Sequence, residues 1–239
     1  CRRTDCRMWC LIRTAGVRPG ALAGLWRRFR CRFDWFSAHR AAVHLVVPSR
    51  FMRRVLVERG ISSESVSVNP YYVHVSVRPV PAATVGPRVL FVGTLDGTDG
   101  LDHLLKALAG LKVPFFLDVV GDGPRRRRRL RTVERLGLAD RTRFMSDPPA
   151  GGLDEVIAGS RVVVMPGLVP EPFGLMGLEA MARARPVLAY DGGGVSEWLE
   201  DGRTGLLVRK GDIDGLRRGL VRLLGDATEA DRLGRAGHE

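Results

Sequence analysis

The chain has 239 residues, 45% hydrophobic and 27% charged, the balance of a folded globular protein with room for one large domain or two small ones. Its formal charge of +12 invites a nucleic-acid role, but no helix-turn-helix, RNA-recognition or zinc-finger pattern accompanies it. No nucleic-acid partner is therefore expected, and a basic face toward an anionic membrane surface or an anionic substrate fits the charge. No apolar run approaches the ~20 residues of a membrane-spanning helix, and the opening "CRRTDCRMWC" has no apolar stretch of the kind that marks a secretion signal.

Residues 1–40 are rich in Arg and aromatic side chains and show no periodicity before "WFSAHRAA". The four cysteines fall here, at Cys1, Cys6, Cys10 and Cys31. They lack the Cys-x2-Cys pairs of a zinc ribbon, so reduced thiols of a cytoplasmic protein are expected rather than a metal site. "AVHLVVPS" (42–49) is short, apolar and β-branched, which predicts a buried strand. Ser49 then caps a helix, "SRFMRRVLVERG", with Phe51, Val55 and Leu56 on one face and Gly60 as its stop. "SVSVNPYYV" predicts a second strand, and the Pro- and Gly-rich "VRPVPAATVGPR" (77–88) a linker.

Beyond the linker, strands alternate with helices. The strands are "RVLFVG", "FFLDVVG", "TRFM", "RVVVMP", "PVLAYDGGG" and "TGLLV". The helix "GLDHLLKALAGL" sets Leu101, Leu104, Leu105, Leu108 and Leu111 on one stripe. "IDGLRRGLVRLLGD" turns Ile213, Leu216, Leu220, Leu223 and Leu224 inward. "VSEWLEDG" predicts a short helix, and the run from Arg125 to Arg129 a solvated helix face. The closing "GRAGHE" shows no clear final element, and the chain opens without Met, so a piece of a longer protein is expected. The strands are continuous apolar runs, as a sheet covered on both faces requires. That predicts an α/β fold, a doubly wound parallel (Rossmann-like) sheet with helices on both faces and ligands beyond the carboxyl ends of its strands.

The strand-to-helix turns carry the candidate chemistry. In "FVGTLDGTDG" (91–100), Gly93, Gly97 and Gly100 allow tight turns whose N–H groups can face an anion. "VVGDGP" (119–124), with Gly121, approaches the dinucleotide fingerprint, but Arg126 stands where its last glycine belongs. "MPGLVPEPFGLMGLEAM" leaves a strand at Met165 and enters a helix near Phe173. The start of that helix carries unpaired N–H groups and partial positive charge, so it suits a phosphate, and Gly174 lets a ligand approach the backbone. Glu171 lies just outside the helix and Glu179 two turns inside it. Carboxylates repel phosphate but accept hydrogen bonds from sugar hydroxyls, so both are expected to face a sugar or a ribose. The turn after the fifth strand adds Gly192, Gly193, Gly194 and Glu197 as another lip of the same crevice. No Asp-x-Asp pair stands at a strand end, so no metal is expected.

Residues 88–225 resemble the C-terminal half of a family 4 (group 1) glycosyltransferase of the GT-B fold. The matching runs are "VLFVGTL", "DGLDHLLKALA", "VVGDGP", "LGLADRTRFM", "VVVMPGLVPEPFGLMGLEAMARARPVLAYDGGGVSEWLEDGRTGLLV" and "GDIDGLRRGLVRLL". The resemblance implies a remnant of an N-terminal acceptor domain over 1–76, a linker over 77–87 and a nucleotide-sugar-binding Rossmann-like domain over 88–239. It implies transfer of a sugar, with retention of configuration, from a UDP- or GDP-linked donor to a glycan or lipid-linked acceptor, with no cofactor. Glu171 would contact the transferred sugar, Glu179 the ribose, and the backbone of Phe173, Gly174 and Leu175 the diphosphate. The base would lie near Phe144 and Met145, and Gly93 and Gly121 would shape the donor pocket.

One departure stands out. The family writes its first loop with an Arg and a Lys that neutralise the diphosphate, and here those positions are Thr94 and Asp99. Asp99 is expected to add repulsion. Either another basic residue enters (Lys106 and Arg125 are candidates), or the missing domain supplies one, or the protein is a catalytically impaired binding or regulatory relative.

Overall fold

The computed structural model describes residues 43–73, 81–146 and 152–239; the four cysteines lie outside them. Two short parallel strands come first, β1 (Leu45–Val47) and β2 (Val66–Val68), with helix α1 (Arg50–Val57) between them. Ser49 holds an extended backbone, and its Oγ accepts the Met52 N–H, so the helix starts at the expected cap.

The second sheet has six strands: β3 (Arg88–Val92), β4 (Phe116–Val120), β5 (Thr142–Met145), β6 (Val162–Met165), β7 (Val187–Asp191) and β8 (Gly205–Arg209). Their order is β5-β4-β3-β6-β7-β8, and every pair is parallel. This is the doubly wound order of nucleotide-binding folds, with its switch point between β3 and β6. Helices α2 (Leu101–Ala109), α3 (Arg126–Arg135), α4 (Gly152–Ala158), α5 (Leu175–Ala182), α6 (Ile213–Gly225) and α7 (Ala227–His238) complete it.

The apolar strand runs do what sheets covered on both sides demand. Val89, Phe91, Leu117 and Val119 join one core, with the α2 leucines and the inward stripe of α6. Leu90, Val120, Val163 and Val187 point the other way, into a second core with Ala180 and Met181 of α5.

Three sequence expectations need correction. The segment expected as a helix at 195–202 is a single 3-10 turn, Val195–Glu197. Its groups bond outward instead: Gly194 N–H donates to Glu171 O at 2.8 Å, and the Trp198 indole to Phe173 O at 2.6 Å. The chain after Asp226 has a clear element, the 12-residue helix α7. Asp226 accepts the Glu229 N–H at 2.9 Å, and Ala230 and Leu233 are buried. Finally, the arginine run is not a uniform solvated face, because Arg129 is 1% exposed.

Candidate functional site

A cleft of about 230 Å³ opens at the switch point, beyond the carboxyl ends of the strands. Gly93, Thr94 and Asp99 line it from the loop after β3, Glu171 and Gly174–Met176 from the loop after β6, Asp191 and Gly192 from the turn after β7, and Lys210 from the turn after β8.

The start of α5 forms part of its wall. Gly174 is the N-cap with φ +90°, a conformation that strains any residue with a Cβ, and no side chain caps the helix. An added Cβ there would lie 3.1–3.2 Å from Met165, Trp198 and Val195. The first N–H groups of α5 are therefore left for whatever enters the cleft. The side chain of Glu171 projects into the same space with its Oε1 over Gly167, and loss of hydration pushes its pKa above the ordinary glutamate value.

Of the predicted residues, Gly93, Glu171, Gly174 and Leu175 line the cleft. Three others stand behind the wall. Phe173 is buried, with its ring edge-on to Tyr71 at 5.6 Å. Gly121 packs the first two loops together, since a Cβ on it would lie 1.9 Å from Gly93 O. Glu179 is half-buried on α5, and its carbonyl accepts from Arg183. Phe144 packs against the core, and Met145 O accepts the Gly121 N–H.

The first loop corrects the expectation for Asp99. One oxygen accepts the Gly97 N–H at 3.1 Å; the other accepts the Leu101 N–H at 2.8 Å and pairs with Arg129 at 3.3 Å. Its side chain is 3% exposed, and its charge is spent inside the fold. Thr94 donates to Asp96 at 3.2 Å, and Asp96 in turn accepts from the Thr98 N–H and hydroxyl. The Thr98 N–H, foremost, holds the Asp96 carboxyl below its usual pKa. Of the suggested replacement cations, Lys106 is exposed in the last turn of α2, away from the cleft. The guanidinium of Arg125 lies against Gly97, and Arg125 does not line the cleft.

Other features escaped the sequence reading. The Tyr190 hydroxyl meets His103 Nδ1 at 2.9 Å, and burial pushes its pKa up to about 12. Burial, then Lys106, pulls the His103 pKa down. Glu197, expected at the lip, accepts instead from the Arg50 and Phe51 N–H groups at 2.9 and 2.7 Å, and Ser49 donates to Pro172 O at 2.5 Å. Lys210 was legible in principle, as the residue directly after a parallel strand, whereas nothing separates Arg129 from its arginine neighbours in sequence.

Known proteins share this arrangement. Residues 78–239 match the family model for group 1 glycosyl transferases. The chain is 35% identical over 158 residues to the D-inositol 3-phosphate glycosyltransferase of Nocardia farcinica, covering 62% of this chain and 35% of that protein. The solved sucrose-phosphate synthase of Thermosynechococcus elongatus superposes with a TM-score of 0.72 at 30% identity, over 81% of this chain and 52% of that one. Anabaena HepE, solved in complex with UDP-glucose, shares the fold at a TM-score of 0.75 and 22% identity, over 82% of this chain and 58% of that one. The chain thus spans between about a third and three-fifths of these relatives. With its six-stranded sheet, its switch-point cleft and the family match over most of its length, the chain belongs to the group 1 glycosyltransferases of GT-B fold.

Proposed function

We infer that this chain is the donor-binding part of a retaining glycosyltransferase that takes its sugar from a nucleotide diphosphate, UDP- or GDP-linked. The observation that carries the reading is the meeting of the Glu171 carboxylate and the uncapped start of α5 in one cleft. The α5 N–H groups would receive the diphosphate and stabilise the charge that develops on it as the glycosidic bond breaks. Glu171 would accept hydrogen bonds from the sugar hydroxyls and hold the anomeric carbon toward the acceptor. Glu179, on the same helix, would take the ribose. HepE, with the same fold, holds UDP-glucose, which supports the donor class.

The acceptor would be a glycan or a lipid-linked sugar, met from the side of β1, α1 and β2. The charge of +12 suits work at an anionic inner membrane face from the cytoplasm. Among the described residues no helix is long and apolar enough to cross a membrane.

Calorimetric titration with UDP- and GDP-sugars, followed by an assay for released nucleotide, tests the reading. Binding that Glu171→Ala and Glu179→Ala both leave unchanged would remove the assigned site. A donor that binds without turnover, with acceptors of both classes present, would favour the second reading, a catalytically impaired relative. Thr94 keeps that reading alive, since it brings no charge to the loop.

A further inference from the structure

We propose that Lys210 supplies the positive charge opposite the donor diphosphate, in place of the side chains that Thr94 and Asp99 do not provide. The proposal rests on the nucleotide-sugar reading of the cleft. Among the residues lining the cleft, three are acidic (Asp99, Glu171 and Asp191) and Lys210 is the one base. Asp99 is neutralised by Arg129, which leaves two open carboxylates around a site meant for a diphosphate. An anion of that charge needs a cation nearby, and neither Lys106 nor Arg125 lines the cleft.

The position of Lys210 is built rather than incidental. β8 runs in register with β7, Asp191 opposite Arg209, so Lys210, the first residue after β8, follows the carboxyl edge of the sheet beside Gly192. The chain then turns: Asp212 N–H donates to Arg209 O at 3.0 Å, and Gly211 has φ +88°. This is a type II pattern with Lys210 at its second position. The backbone is therefore fixed while the side chain stays exposed. Asp212, two residues on, is already committed to the Gly215 N–H and to Arg218. Among the described residues, Lys210 makes no ion pair. A flexible ammonium so placed can follow charge onto a leaving diphosphate, which a rigid, spent guanidinium cannot.

The test is titration of the full chain and of Lys210→Ala and Lys210→Arg with UDP, UMP, GDP and GMP at two salt concentrations. Lys210→Ala is expected to weaken diphosphate binding about tenfold at low salt, the loss of one charge-assisted contact. Monophosphate binding should fall less, the salt dependence should flatten, and Lys210→Arg should stay within about threefold of the parent. The melting temperature should not move, because the side chain is exposed. A parent that binds a nucleoside diphosphate, with Lys210→Ala binding it equally well, overturns this assignment and spares the donor-site reading. A parent that binds neither diphosphate overturns both.

Discussion

Arg129 and Asp99 meet at 3.3 Å with both side chains buried, and the same guanidinium reaches Asp102. The acid at position 99 is thus a structural partner of α3. Restoring the family's lysine by Asp99→Lys would place a second cation against a buried arginine. A loss of about 3–5 kcal/mol of stability is expected, read by chemical denaturation. Adding Arg129→Met should recover part of it.

Thr94 has no such partner beyond Asp96 and faces the cleft. Thr94→Arg should fold normally and tighten nucleoside diphosphate binding by roughly 10- to 100-fold, as one charge-assisted hydrogen bond allows. Calorimetry at low salt checks this, and the gain should shrink as salt rises.

Glu171 titrates above the ordinary glutamate value because burial penalises its charged form. The folded state therefore holds the proton longer than the unfolded chain, and stability falls as pH rises through that interval. Glu171→Gln carries no such penalty. It should be more stable than the parent at neutral pH, and the difference should vanish below the normal glutamate range. Thermal melts from pH 3 to 8 would show it. Equal melts at pH 7 would mean the carboxyl is already fully hydrated.

Glu197 ties the first N–H groups of α1 to the 3-10 turn after β7. Its replacement by Ala should cost about 1–2 kcal/mol, the usual loss of a helix cap. Hydrogen exchange at the Arg50 and Phe51 amides should quicken well before that of the β3 core.

Gly174→Ala forces a Cβ into the left-handed region and against Met165 and Trp198. A cost of about 1–2 kcal/mol is expected from the backbone alone. If α5 receives the diphosphate, UDP binding should suffer more than stability does, which melts with and without UDP would separate.

The alternation of strands and helices was legible because most strands are continuous apolar runs and α2 and α6 keep a leucine stripe. Leu101 to Leu111 and Leu216 to Leu224 are buried as their spacing foretells. The turn after β6 was legible through Gly174, whose backbone geometry demands that residue. Pairings between distant groups were not. Nothing local says that Asp99 spends its charge on a residue 30 positions away, or that Glu197 reaches back 147 positions to cap α1. The final helix was missed although Asp226 and Glu229 have the spacing of a helix start, because Gly234 and Gly237 weaken its apolar pattern.

The Ala82 N–H donates to Asp231 of α7 at 3.0 Å, and the Ala82 side chain is fully buried. The last helix thus fastens the segment that leads into β3, the first strand of the six-stranded sheet, so residues 149 positions apart hold one another in place. Cutting the chain before Ala227 would remove more than a terminal ornament. It would unlatch the approach to β3, so fraying of the last helix would reach a strand in the middle of the sheet.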